Sequence, residues 1–241
     1  LKALTVFAMP MILGSFFQQI YNMADSIIVG QFVGSSALAA VGACAALTNV
    51  FICVALGAGV GAGVLVSRYF GAREYGKMKT IVSTSLISFL ILSIILGVFG
   101  FCFSHSMMSG LKTPADRLDD AVLYWRVYLV GCPFLFMYRI LSSMFNALGE
   151  SRIPLYLLIF SSVLNIFLDL YMVAVLNLGV AGAAYATFIA QGISAVLSLI
   201  IFVVTLQKLP GKADGWLSKT EFSDMSRIAL PYILQQSTVS I

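Results

Sequence analysis

The longest charge-free run in this sequence is the feature that most limits how the chain can fold. No Asp, Glu, Lys or Arg occurs from Ser26 to Ser67, and of the 241 residues 60% are hydrophobic and 10% charged. A soluble domain carries about a quarter charged residues. A helix needs about 20 mainly apolar residues to cross a bilayer, and these runs lack the two-residue alternation of β-barrel strands. The sequence therefore predicts an all-α integral membrane protein.

Six apolar runs are predicted to span the membrane. Gly34-Ser35-Ser36 and Asn177-Leu178-Gly179 mark tight turns between spans that no charged loop separates. The predicted spans cover about residues 3–30, 38–66, 80–103, 121–145, 154–176 and 180–206. The first run lacks the basic segment and cleavage site of a signal peptide, so we expect it to be a span.

Basic residues are distributed unequally between the two sides of the predicted spans. The third loop, which also contains His105, holds only Lys112 and Arg117. The opposite side holds Lys2, Arg68, Arg73, Lys77, Lys79, Arg152, Lys208, Lys212, Lys219 and Arg227. Because basic loops stay in the cytoplasm, we expect a multi-pass protein of the plasma or inner membrane whose N-terminus and whose loop at 207–226 are cytoplasmic.

The end of the chain resembles its beginning. When Pro231 is aligned with Pro10, Ile228-Ala229-Leu230-Pro231-Tyr232-Ile233-Leu234 falls on Phe7-Ala8-Met9-Pro10-Met11-Ile12-Leu13. The match lies after six spans, where a duplicated unit of the same orientation would restart. We therefore expect residues 227–241 to begin a seventh helix and the chain to be a six-helix lobe, the first half of a pseudo-symmetric twelve-helix transporter.

Two acidic residues, Asp25 and Asp169, lie within the predicted spans. A carboxylate at membrane depth is unfavourable unless it faces protein, water or a cation, so a function is the default interpretation. Asp169 lies about 22 Å along its helix from Pro154, in the outer half of the membrane, which Asp25, Tyr124 and Thr187 are expected to share. Asn165 precedes Asp169 by four residues and lies on the same helix face. Such a cluster could exchange a proton for Na⁺ or a cationic substrate.

Other conspicuous features are expected to be structural. The run Gly57–Gly63 lies mid-span without a P-loop Lys, so close helix packing is favoured over nucleotide binding. Pro10 and Pro133 are expected to kink their helices, and His105 has no partner at metal-ligand spacing. The cysteines lie in apolar runs without a CxxC pair and are expected to be free: Cys44, Cys53, Cys102 and Cys132.

Several stretches resemble the multidrug and toxic compound extrusion (MATE) transporters, and within them the bacterial DinF-like branch. They are Pro10 with Gln18-Gln19-Ile20-Tyr21-Asn22-Met23-Ala24-Asp25-Ser26-Ile27-Ile28-Val29-Gly30, Ala37-Leu38-Ala39-Ala40-Val41-Gly42, Arg68-Tyr69-Phe70-Gly71-Ala72, Asn146-Ala147-Leu148-Gly149 and Asn165-Ile166-Phe167-Leu168-Asp169. The resemblance implies an antiporter, not an enzyme, in which entry of H⁺ or Na⁺ drives export of cationic amphipathic drugs by alternating access between two lobes.

The resemblance also implies roles for individual residues. Asp25 and Asp169 would take up the coupling cation, with neutral oxygens from Asn165 and Thr187, and no other cofactor is expected. Tyr124 and Gln18 would line the cavity, and the first helix would bend at Pro10. The expected partners are the lipid bilayer, small cationic substrates and the second lobe of the same protein, and no nucleic acid.

Two alternatives are open from the sequence. A lipid-linked oligosaccharide flippase of the same superfamily would need cationic residues in its cavity, and only Arg126 and Arg139 are available, both toward the ends of the fourth span. An intramembrane aspartyl protease would also use two buried aspartates. Neither Tyr21-Asn22-Met23-Ala24-Asp25 nor Phe167-Leu168-Asp169 matches the motifs of that enzyme class.

Overall fold

The computed structural model describes residues 2–32, 35–110, 118–213 and 215–239, and their regular secondary structure is helical. The long helices are α1 (Lys2–Phe32), α2 (Ser35–Gly71), α3 (Tyr75–Cys102), α5 (Leu118–Ala147), α6 (Arg152–Asp169), α7 (Gly179–Gln207) and α8 (Lys219–Val239). A short helix, α4 (Ser104–Gly110), follows α3, and a π-helical turn at Leu170–Val175 extends α6. The all-α prediction is confirmed.

The helices lie where the six apolar runs predicted spans, and each extends past the apolar run at one or both ends. Within the described residues, five segments are long and apolar enough to cross a membrane: Leu47–Gly71, Tyr75–Cys102, Leu118–Ala147, Arg152–Val175 and Gly179–Gln207. The helices are longer than the predicted spans because backbone hydrogen bonding continues beyond the apolar section of a helix into its polar ends. The turn predicted at Gly34-Ser35-Ser36 lies partly outside the described residues.

The turn at Asn177-Leu178-Gly179 connects α6 and its π-helical extension to α7. Asn177 has φ of 53° and Gly179 has φ of 58°, both in the left-handed region. Asn and Gly tolerate this conformation better than other residues. Two left-handed residues within three positions reverse the chain, so α7 runs antiparallel to α6 and packs along it.

Helix α5 forms the centre of the bundle and packs against α2, α3 and α7. Trp125, Phe136 and Phe145 of this helix are fully buried, and the ring of Phe145 meets Phe202 of α7 edge to face at 5.0 Å. The outward faces of α3, α6 and α7 expose many large apolar side chains instead. This arrangement is typical of a bundle whose surroundings are hydrocarbon.

The glycine run of α2 allows two neighbouring helices to approach closely. A Cβ added to Gly59 would lie 3.2 Å from the Arg139 carbonyl oxygen of α5, and one added to Gly61 would lie 2.7 Å from the Met225 carbonyl oxygen of α8. Both contacts favour glycine, and the one at Gly61 most strongly, because the close atoms belong to the backbones of the neighbouring helices. The prediction that this run serves helix packing is confirmed.

Helix α8 begins at Lys219, before the predicted start at residue 227. Ser218 caps its first turn, with the Glu221 backbone N–H donating to the Ser218 hydroxyl at 3.4 Å. The Ser218 backbone N–H donates in turn to the Thr84 hydroxyl of α3 at 3.1 Å. The apolar run underestimates this helix because its first two turns are polar, and Ser-Xaa-Xaa-Glu is a helix-start signal that hydropathy does not register.

The segment between α7 and α8 is anchored to α3 by one lysine. The Lys79 ammonium donates to the carbonyl oxygens of Leu209 and Gly211, both at 2.8 Å. Gly211 has φ of 90°, which an L side chain rarely adopts. Lys79 thereby fixes the path of the chain as it leaves the sixth long helix.

Candidate cation site

The C-terminal end of α6 places two polar side chains inside the bundle. Asp169 is the last residue of α6 and is 0% exposed, and Asn165, one turn before it, is 1% exposed. The π-helical turn begins at the next residue, Leu170. Short π-helical segments are rare and are frequently found at functional sites.

The Asn165 amide connects Asp169 to Thr187 of α7. In one amide orientation Nδ2 donates to the Thr187 hydroxyl at 3.4 Å, and the amide oxygen faces the carboxylate. In the reverse orientation Nδ2 donates to Asp169 Oδ2 at 2.8 Å, and the amide oxygen accepts from the Thr187 backbone N–H at 3.2 Å. The second orientation satisfies both ends of the amide when Asp169 is ionised, and we adopt it for that state.

A small apolar cluster lies next to this end of α6. It joins Ile28 of α1, Val173 of the π-helical turn, and Val180 and Ala183 of α7. Ile28 lies three residues after Asp25, so α1 passes the site at this level. The backbone of Asp25 lies in α1, but its side chain is outside the described part of the structure, and its predicted place beside Asp169 stays a prediction.

Tyr124 and Gln18 line two different cavities. Tyr124 borders a narrow space of about 10 Å³ together with Tyr128, Thr187 and Gln191. Gln18 borders a larger one of about 50 Å³, which lies between α1, α5, α6 and α7. Gln191 contributes to the lining of both cavities.

The sequence-based predictions did not include Gln191, and they named Arg139 only as a basic residue toward the end of a span. Gln191 follows Thr187 by four residues, so the same helix-face argument that linked Asn165 to Asp169 could have found it. Arg139 was expected toward the end of its span, but it faces the larger cavity from within α5. Arg126 does not share this position, since its Nε donates to the Ser104 hydroxyl at 2.9 Å outside both cavities.

The described residues contain no cluster of three His, Cys, Asp or Glu side chains that could hold a metal ion. The polar groups around Asp169 are instead one carboxylate, one amide and one hydroxyl. Oxygen ligands of this type suit a hard cation, and a buried carboxylate can also be neutralised by a proton. These groups have the chemistry to bind a proton or a small cation.

Comparison with known proteins places this geometry in a family. The family model described as MatE matches residues 10–171, which is more than half of the chain. The chain belongs to the MatE family. The resemblance noted in the sequence is thereby confirmed at the level of the family.

Two curated relatives of this MatE chain are named as drug-resistance proteins. It is 29% identical over 240 residues to the "Probable multidrug resistance protein YpnP" of Bacillus subtilis, covering 100% of the chain and 54% of the relative. It is 28% identical over 201 residues to the "Multidrug export protein MepA" of Staphylococcus haemolyticus, covering 83% of the chain and 44% of the relative. The chain thus spans about half the length of the curated relatives it matches.

The fold agrees with a solved MATE structure. The structure titled "Crystal structure of MATE in the straight conformation" superposes with a TM-score of 0.89 at 28% identity, covering 98% of this chain and 53% of the other. The described helices therefore correspond to about half of a MATE transporter.

Proposed function

We propose that this MatE chain is the N-terminal lobe of a cation-coupled multidrug exporter that uses alternating access. The names of the curated relatives and the match to about half of a MATE structure support this function. The observation that carries it is the fully buried Asp169, bonded to Asn165 where α6 meets α7. Burying a carboxylate inside a membrane protein is energetically unfavourable. A buried aspartate is therefore interpreted by default as a functional residue.

The coupling ion binds at Asp169, Asn165 and Thr187, and Asp25 contributes the second carboxylate. Uptake of the ion changes which orientation of the Asn165 amide is favoured. When Asp169 is ionised, the amide nitrogen donates to it. When a proton or Na⁺ neutralises Asp169, the orientation with the amide oxygen toward the carboxyl group is favoured. The amide oxygen can then accept from the carboxylic acid or ligate the ion.

This reorientation changes a contact between two helices. When the amide oxygen faces Asp169, Nδ2 donates to the Thr187 hydroxyl. When Nδ2 faces Asp169, the amide oxygen accepts from the Thr187 backbone N–H. The contact between α6 and α7 therefore differs between the ion-bound and the ion-free state. Coupling requires such a difference, because an ion shifts a conformational equilibrium only if it binds the two conformations with different affinity. Bending of α1 at Pro10 follows from this local change, and Tyr124 and Gln18 line the path of the substrate.

The substrates are cationic amphipathic compounds, and no cofactor besides the coupling ion takes part. Helix α8 is the first helix of the second lobe, and that lobe supplies the rest of the substrate cavity. The N-terminus and the segment between α7 and α8 lie in the cytoplasm of the plasma or inner membrane, as the distribution of Lys and Arg indicates. Loss of the ion gradient would stop export without unfolding either lobe.

The test uses the full-length protein in proteoliposomes loaded with a cationic dye. A pH gradient and a Na⁺ gradient are imposed separately, and dye efflux is followed by fluorescence. The gradient that drives efflux identifies the coupling ion, and Asp169→Asn is expected to abolish the driven efflux. Asp224→Asn, an exposed carboxylate of α8, is the matched control and should retain it. Wild-type efflux from Asp169→Asn would overturn the assignment of the site.

A further inference from the structure

A polar seam runs along the packed faces of α5 and α7. The rings of Phe134 and Phe188 meet at 5.9 Å and those of Phe145 and Phe202 at 5.0 Å, so the two helices run in the same direction. Because an α-helix turns by about 100° per residue, positions 128, 139 and 146 of α5 share one face, as do positions 187, 191, 194 and 198 of α7. The side chains of the seam are Tyr128, Arg139 and Asn146 of α5 and Thr187, Gln191, Ser194 and Ser198 of α7.

The seam leads from the candidate cation site toward the other end of the bundle. Thr187 belongs to both, because the Asn165 amide connects it to Asp169. Asn146 ends the seam, one residue before the end of α5 at Ala147. Tyr128 and Asn146 are eighteen residues apart, which is about 27 Å along the helix axis. The seam therefore crosses most of a hydrocarbon core that is about 30 Å thick.

Polar atoms along this seam are buried and have no hydrogen-bond partner among the described residues. The hydroxyls of Ser194 and Ser198 are two of them, and these residues are 1% and 0% exposed. The others are the Tyr128 hydroxyl, Arg139 Nε and Asn146 Oδ1. Buried polar groups are nearly always hydrogen-bonded, and internal water molecules bridge those that the protein leaves unpaired. The seam thus has the composition of a hydrated path.

The two interior cavities supply space for water at two levels of the seam. The smaller, of about 10 Å³, is bordered by Tyr128 and Thr187, and the larger, of about 50 Å³, by Arg139 and Ser194. About 10–15 Å³ of such space is enough for one water molecule. The groups with unused hydrogen-bonding capacity therefore lie beside spaces of the size of one or a few water molecules.

Arg139 is the charged side chain of the seam. It forms no ion pair with a carboxylate of the described residues. It lies eight residues before the end of α5, which is about 12 Å along the helix. A guanidinium group stays charged, and a fixed positive charge in a hydrated pore excludes protons and cations. Without such a charge, a hydrated seam would let an ion pass from the cation site without any export.

We propose that the polar seam is a hydrated path toward the cytoplasm and that Arg139 blocks ion movement along it. Water molecules bridge the polar groups between Thr187 and Asn146, and the guanidinium repels a proton or Na⁺ at the level of Ser194. The ion bound at Asp169 therefore leaves only when the lobes change conformation. This inference rests on the proposed function, because it explains how the ion stays coupled to export, but the leak it predicts is measured without any transported compound.

The first experiment measures proton leak. The full-length protein is reconstituted in liposomes that contain a pH-sensitive dye, and a K⁺ diffusion potential set with valinomycin drives proton entry in the absence of drug. Arg139→Gln and Arg139→Ser should increase the initial rate of proton entry by about tenfold or more. Arg139→Lys, which keeps the charge, and Arg126→Gln, on the same helix outside the seam, should leak as little as wild type. Wild-type rates in both neutral variants overturn the barrier, and so does a leak in Arg139→Lys equal to that in Arg139→Gln.

The second experiment locates the leak. Ser194→Val and Ser198→Val together are added to Arg139→Gln, which replaces two hydroxyl groups of the seam by apolar groups. The rate of proton entry should fall back toward that of wild type, because the seam no longer holds water at these positions. A leak that persists undiminished shows that protons pass elsewhere and overturns the seam as their route.

The leak assay and the dye-efflux assay separate this inference from the proposed function. If Arg139→Gln leaks protons but neither gradient drives dye efflux in the wild-type protein, the barrier stands and the export function is wrong. If the wild-type protein shows driven efflux and neither neutral variant leaks, export stands and the barrier is wrong.

Discussion

The packing of α2 against α8 makes Gly61→Ala a sharp test of the structure. The added Cβ would lie 2.7 Å from the Met225 carbonyl oxygen and 3.2 Å from the Cβ of Ala229. An ordinary contact begins at 3.4 Å. The backbone of α8 would therefore have to move by about 0.7 Å, and it cannot respond by rotating a side chain, because the close atom belongs to the main chain.

The expected magnitude follows from two opposing effects. Replacing Gly by Ala within a helix favours folding by up to about 1 kcal/mol, whereas overpacking costs about 1–3 kcal/mol. Gly192→Ala in α7 is the matched control, because no described atom lies within 4 Å of its added Cβ. Gly61→Ala should therefore be less stable than Gly192→Ala by about 1–3 kcal/mol.

Thermal unfolding of the full-length protein in detergent measures this difference. For a unit of about 150–250 residues, 1 kcal/mol corresponds to about 2–4 °C in the unfolding temperature. Gly61→Ala should melt several degrees below Gly192→Ala, which should melt at or above the wild-type temperature. Equal unfolding temperatures for the two variants would refute the close approach of α2 and α8.

Three further predictions concern single side chains. Asn165→Leu should abolish cation-driven efflux while membrane expression stays at the wild-type level, because the amide link between Asp169 and Thr187 is lost; normal efflux would exclude a role in coupling. Lys79→Met should make the segment between α7 and α8 more sensitive to limited proteolysis, since two hydrogen bonds to its carbonyl groups disappear, and an unchanged cleavage rate would contradict the anchoring. Asn177→Val should lower stability by about 1–2 kcal/mol in a thermal unfolding assay, whereas Asn177→Gly should be close to neutral; the opposite order would rule out the left-handed turn.

The sequence predicts the helices well because membrane insertion depends on local properties of the chain. Each span needs enough consecutive apolar residues, and the left-handed turn at 177–179 needs residues that accept a positive φ. Both requirements are satisfied within a short segment, so neither depends on distant contacts. The start of α8 was misjudged for the same reason: hydropathy detects the apolar part of a helix and misses its polar first turns.

The partners of each helix face could not be predicted in this way. The glycine run of α2 indicated close packing, but only the structure shows that Gly59 faces α5 while Gly61 faces α8. Likewise, helical spacing placed Asn165 and Asp169 on one face without identifying which face of α7 would meet them. A spacing of four residues places two side chains on a common helix face, and it carries no information about the helix opposite.

Arg139 shows most clearly the difference between what the sequence predicts and what only the tertiary structure shows. Its position in the sequence, eight residues from the end of α5, is compatible with an interfacial arginine, and its surroundings along the chain are apolar. The packing of α1, α6 and α7 around α5 places Arg139 in the lining of a cavity between these helices. The sequence by itself determined an all-α membrane protein, and it predicted six spans with two aspartates inside them, because span length and insertion energy are local. The tertiary structure decided which polar side chains share a cavity, because that depends on the rotation of each helix about its own axis relative to its neighbours.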